Sequence, residues 1–125
     1  MYISGVVIKS EHILIATVLL NKLEDKGNEI ITYSELSSSI GGLLNPRNLD
    51  HPLGDLSAIC RENGLPLISA IVVNKDTMMP GDGFIKYFYN HLKSKNEKDA
   101  QTIKCINEVI SFDNWDKLKE ILNIN

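Results

Sequence analysis

Between Thr32 and Phe84 the sequence is cut by strong local signals whose order leaves little freedom in how the chain can fold. Thr32 and Glu35 form a T-x-x-E capping box ahead of Leu36 and Ile40. At that spacing a hydroxyl accepts a backbone N–H while the carboxylate reaches back to another. Gly41-Gly42 stops the short helix, and Asn45-Pro46 favours a turn. Asp50 or His51 is placed to cap a second helix that tolerates Pro52 in its first turn and buries Leu53, Leu56, Ile59 and Cys60. Asn63-Gly64 ends it. Leu67 to Asn74 then reads as a strand, most β-prone at Ile71, Val72 and Val73, and Lys75 to Gly83 reads as a Pro/Gly-rich loop.

A capped helix, a turn, a helix, a strand and a Gly/Pro-rich hairpin follow one another in a winged helix-turn-helix. The expected fold class is therefore α+β and mostly helical, with a short β-hairpin wing and appended C-terminal helices. Ahead of this unit, Ile3 to Ile8 is a strand or ordered arm. Ser10 can cap a helix striped with Ile13, Ala16, Leu20 and Leu23 and widened by Leu14, Val18 and Leu19. So broad an apolar face belongs in a core or in a homodimer interface. After the wing, Phe84, Tyr87, Phe88, His91 and Leu92 follow helical spacing, Ser94 to Asp99 reads as a linker or exposed turn, and Ile103, Ile106 and Ile110 mark another helix. Asp113 is placed to cap a last helix through Trp115, Leu118, Ile121 and Leu122. The expected division is a winged-helix domain over 1–93 and a helical extension over 94–125 packed on it.

Composition limits the function classes. A chain of 125 residues, 43% hydrophobic and 23% charged, can bury a core without metals or disulfides. No apolar run reaches the roughly 20 residues of a membrane span. The N-terminus lacks the basic start and cleavage site of a signal peptide, and Cys60 and Cys105 read as two reduced core thiols, so a cytoplasmic location is expected. The net charge of −3 opposes strong sequence-independent DNA affinity, which depends on many phosphate contacts. Locally the balance differs. Residues 84–104 carry five lysines against Glu97 and Asp99, whereas residues 45–63 carry Arg47 and Arg61 against Asp50, Asp55 and Glu62.

T-Y-S-E-L-S-S-S-I-G with N-P-R, L-P and V-V resembles the C-terminal domain of the O6-alkylguanine-DNA alkyltransferases and the alkyltransferase-like proteins. About 50 residues carry the resemblance. It implies a winged helix that binds the DNA minor groove and flips a base, with Tyr33 contacting the target phosphate and Asn45-Pro46-Arg47 forming the turn. The alkyltransferases carry P-C-H-R ahead of V-V, where this chain has Ile68-Ser69-Ala70-Ile71. The acceptor Cys and its activating His are absent, so alkyl transfer is excluded. Asp50 stands nearest the position of the family's intercalating Arg. A looser likeness, N-G-L-P, V-V-N-K and P-G-x-G-F, is to small prokaryotic proteins and implies no activity.

No catalytic constellation or metal set stands out. His51 beside Asp50 invites a metal or acid–base role, but the reading credits it with no partner one helical turn away and takes it as a cap or surface residue. Cys60 falls on a buried face, and Ser69 has neither a nucleophile elbow nor a paired His. Pro80-Gly81-Asp82-Gly83 lacks the P-loop Lys and reads as a wing tip. The expected DNA-contacting residues are Tyr33, Arg47, Asn48, His51, Lys75 and Lys86, with no catalytic residue, metal or cofactor. The expected function is a non-enzymatic winged-helix DNA-binding module of a small prokaryotic or phage protein. The alternative is a protein-interaction module or inhibitor that docks a nucleic-acid-processing enzyme through an acidic winged-helix surface. A small enzyme would need Asp50, His51, Cys60 or Ser69 to converge on a pocket.

Overall fold

The computed structural model describes residues 2–124 and shows an α+β, mostly helical architecture. The chain opens with a hairpin, β1 (Tyr2–Ile3) against β2 (Val6–Val7), turned at Ser4 and Gly5 with φ of 51° and 81°. Helix α1 (Ser10–Glu24) follows, with Lys9 rather than Ser10 in the capping position. Its apolar face, Ile15, Ala16, Leu19, Leu20 and Leu23, is buried inside this one chain, and α1 packs against α3 (Asp50–Glu62).

The T-x-x-E box forms as its spacing dictates. Glu35 N–H donates to Thr32 Oγ1 at 3.1 Å, and Thr32 N–H donates to Glu35 Oε1 at 3.0 Å. It starts α2 (Tyr33–Ser39) directly after β3 (Ile31–Thr32). A 3-10 turn over Pro46–Asn48 then runs straight into α3, so Leu49 takes the capping place and Asp50 becomes the first helical residue. Asp50 and His51 are thereby freed from the capping role given to one of them. Leu56, Ile59 and Cys60 are fully inaccessible to solvent. Burying a Leu or Ile side chain contributes about 1.5–3 kcal/mol.

The expected strand over Leu67–Asn74 is mostly a 3-10 turn, Ile68–Ile71, and only β4 (Val72–Val73) is extended. Every residue from Leu67 to Val73 is buried, with α3 packed against the 3-10 turn and α5 (Lys95–Ser111) against it as well. Such a run has no alternation to hold it extended, and its one ladder partner, β3, is two residues long. β4 pairs with β3 in parallel, Ile31 opposite Val72 and Thr32 opposite Val73.

The hairpin wing over 75–83 is also corrected. Residues 74–79 close one tight turn, with Asn74 N–H donating to the Met79 carbonyl and Met78 N–H to the Asn74 carbonyl, both at 2.8 Å. No return strand follows among the described residues. Pro80 leads instead to Gly81, which stands at the cap of α4 (Asp82–Phe88). That helix ends at Phe88, one turn short of Leu92.

Ser94 to Asp99 is not a linker. Ser94 and Glu97 repeat the motif seen at Thr32 and Glu35, with Glu97 N–H donating to Ser94 Oγ at 3.1 Å, and so start α5. Helix α6 (Asp116–Leu122) starts after Trp115, whose indole N–H donates to the Val109 carbonyl at 3.1 Å. Asp113, expected as its cap, lies outside the helix. Cys105, Val109, Trp115, Leu118 and Leu122 join the same hydrophobic cluster as α1 and α3. None of the helices is long and apolar enough to cross a membrane.

Both cysteines are free and buried. Burial pushes the Cys60 thiol up to about 12, against a smaller lowering by a backbone hydrogen bond from Ile68. The thiolate is the reactive form. Both side chains are shut off from solvent, so neither is expected to react with a disulfide reagent at pH 7 in the folded protein, and both are expected to react once urea unfolds it. Prompt labelling of Cys60 without urea would contradict this packing.

Candidate functional site

The N-terminal half of α3 carries the polar side chains that the hydrophobic face leaves over, and one of them, Asp55, is tied to α1. His12 is buried in the first turn of α1, where its Nδ1 accepts the Lys9 N–H at 2.9 Å. That leaves Nε2 to carry the proton of the neutral ring and to meet Asp55 Oδ2 at 2.8 Å. The same oxygen lies 3.4 Å from Nδ1 of His51, one turn back along α3. The side-chain exposures run from 4% at His12 through 23% at Asp55 to 90% at His51. Asp55 is thus held from within by a fixed imidazole and faces an exposed one.

Beside this array lies a cleft of about 300 Å³ between α3 and α4, bordered by Asp50, His51, Asp55, Ser69 and Tyr33. Phe84, Tyr87 and Phe88 of α4 line its other side. The Tyr87 and Phe88 rings meet edge-on, with centroids 4.8 Å apart at 72°, a favoured aromatic geometry. Ser69 is braced by Ser57, whose Oγ accepts the Ser69 N–H at 3.0 Å and lies 2.6 Å from Ser69 Oγ.

Tyr33, at the start of α2, closes one end. Its hydroxyl accepts the Gly81 N–H at 2.9 Å across 48 residues of sequence. A side chain at position 81 would crowd this contact, since a Cβ there would stand 3.2 Å from the Tyr33 hydroxyl and 3.8 Å from an Asp50 carboxylate oxygen. Burial pushes the Tyr33 phenol up to about 12; the Gly81 N–H lowers it, and the Asp50 carboxylate adds to the rise.

Of the expected contact residues, the structure brings Tyr33 and His51 to this cleft. Asn48 borders a second cleft, shared with His51 and lined also by Val6 and Lys9 of the N-terminal segment. Arg47, Lys75 and Lys86 are exposed, on the 3-10 turn, the 74–79 turn and α4, and none of them lines either cleft. Cys60 is buried away from the cleft, whereas Ser69 reaches it.

Asp55, His12 and the aromatic residues of α4 join the site without being among the residues expected there. The signal for Asp55 was present, because His51 and Asp55 stand at i and i+4 on one helix face. His12 had no such signal, since its partner lies 43 residues away on another helix. Among the described residues no group of three or more His, Cys, Asp or Glu side chains is arranged to hold a metal ion. No family model, curated protein or solved structure matches this chain.

Two outcomes follow from this geometry. Asp55→Ala leaves the buried His12 N–H unpaired and is expected to lower stability by about 1–3 kcal/mol in urea unfolding, while Asp55→Asn, which keeps an acceptor, retains most of it. Tyr33 holds its proton more tightly folded than unfolded, so its contribution is full below its ordinary value of 10.0 and is lost as pH rises toward about 12. Tyr33→Phe should therefore flatten the fall in urea midpoint across that alkaline window. An unchanged slope would show that the phenol ionises equally in both states.

Proposed function

We propose that this chain is a non-enzymatic interaction module whose working face is the cleft between α3 and α4, and that it docks a basic surface of a partner protein there. One observation carries the reading. The carboxylates of Asp50 and Asp55 border an aromatic-walled cleft, and no Lys or Arg among the described residues forms an ion pair with either. An aromatic and apolar cleft with a few placed polar groups is the usual form of a binding site. Aromatic anchors rimmed by charge supply most of the energy in protein interfaces.

In this reading α2, the Pro46–Asn48 turn and α3 form a helix-turn-helix scaffold, with the tight 74–79 turn in place of a full wing. The resemblance to the alkyltransferase-like domains supports that scaffold. DNA is the second reading, favoured by the exposure of Arg47 and Asn48 ahead of α3 and of Lys75 and Lys86 beyond it. Two facts weigh against it. The Tyr33 hydroxyl, which would meet a phosphate, holds the Gly81 N–H, and the first turn of α3 carries Asp50. A carboxylate at the groove-facing end of a reading helix repels the phosphate backbone.

The test is amide chemical-shift mapping of the labelled protein against two probes, a mixed Lys/Arg peptide and a 20-base-pair duplex (a length of about two helical turns). The peptide is expected to shift amides of α3 and α4 around the cleft, with affinity that weakens as salt rises. Shifts at Arg47, Asn48, Lys75 and Lys86 with the duplex, and none with the peptide, would replace this reading with the DNA one.

A further inference from the structure

We infer that the cleft between α3 and α4 takes an arginine side chain of the partner, in preference to lysine. The inference rests on the docking reading above and names its anchor. Three observations converge on a planar cation.

The first is charge. Asp50 is exposed at the head of α3 and has no cationic partner in its own chain among the described residues, so its carboxylate is available as an acceptor. A guanidinium presents two parallel N–H groups that match a carboxylate, whereas an ammonium presents a point charge. The second is shape. A cleft of about 300 Å³ admits one long side chain. A whole helix, about 10–12 Å across with its side chains, needs an open groove. Tyr87, 71% exposed and seated edge-on to Phe88, offers a ring face at the mouth over which a flat cation can lie.

The third is a precedent within the same aromatic group. The Arg61 guanidinium stands 5.9 Å from the Phe88 ring centroid and donates to the Phe88 carbonyl at 3.3 Å. Arg61 does not line the cleft, so this contact leaves the cleft side free. Ser69 completes the site. Ser57 Oγ accepts the Ser69 N–H, and either hydroxyl can donate across the 2.6 Å contact between the two oxygens. In either arrangement the Ser69 hydroxyl oxygen keeps a lone pair that can meet an incoming N–H.

The experiment compares hexa-arginine with hexa-lysine, peptides of equal charge, by amide-shift titration of the full chain and of its Asp50→Asn and Tyr87→Ala variants. Both variant positions are exposed, so the fold is expected to be kept, and the urea midpoint of each variant checks it. Hexa-arginine is expected to shift the amides of Gly54, Ser69 and Phe84 and to bind about tenfold more tightly than hexa-lysine. Asp50→Asn is expected to weaken arginine binding about fivefold or more, and Tyr87→Ala to erase the preference for arginine over lysine. Equal binding of the two peptides on this face, or binding indifferent to Asp50→Asn, overturns the arginine anchor and leaves the docking reading standing. Binding of neither peptide overturns both.

Discussion

The whole arrangement depends on one helix having to satisfy two demands along its length. The second half of α3 buries Leu56, Ile59 and Cys60 completely against α1 and the Ile68–Ile71 turn. The first half is drawn to the surface by Asp50, His51 and Asp55, yet is held in the same rigid rod. Removing apolar area from water sets the position of the axis, and the polar residues have no freedom to move away from it. The His12–Asp55 contact then fixes which way the polar half faces. Its two partners come from different helices, and their separation would leave the buried His12 ring unpaired at Nε2. Cleft, rim and floor are all placed by that one rod.

The parts of this fold written in short-range chemistry were legible. The Thr32/Glu35 box, the Gly41-Gly42 stop, Pro52 in a first turn and the buried stripe of α3 each follow from neighbours within a turn or two. The Ser94/Glu97 box is equally short-range, but the density of charge around it reads equally as a linker or exposed turn. The strand and wing failed for a different reason. Val72 and Val73 are β-prone, but an extended run needs a ladder partner, and whether one exists is decided by Ile31 and Thr32, far back in the chain. For the cleft, the i and i+4 pair of His51 and Asp55 was readable, whereas the gathering of Tyr33, Gly81 and the α4 rings at one place is a property of tertiary packing.

The functional reading changes for a physical reason. As a sequence, Tyr33, Arg47, Asn48, His51, Lys75 and Lys86 look like one interface because they flank one motif. In the fold, the first and fourth face a cleft whose acceptors are carboxylates, and the four others border the surface or a separate cleft. Acidic clefts with aromatic walls select cations, and selection by a carboxylate in a partly enclosed site is stronger than by one in open water.

The two-residue ladder between β3 and β4 bears on how the protein reaches this state. Parallel pairing of Ile31 with Val72 closes a loop of about 40 residues, and the entropy of closure must be met before the contacts beyond it return anything. The same closure brings Gly81 to Tyr33. The Tyr33 end of the cleft is therefore expected to form late and to open before the core does. Phe84 and Phe88 anchor α4 in the same apolar cluster as α1 and α3, while the end of the cleft at Tyr33 is tied by a single hydrogen bond and a ladder of two residues a side. A molecule built this way can loosen at one end of its cleft while its core stays folded.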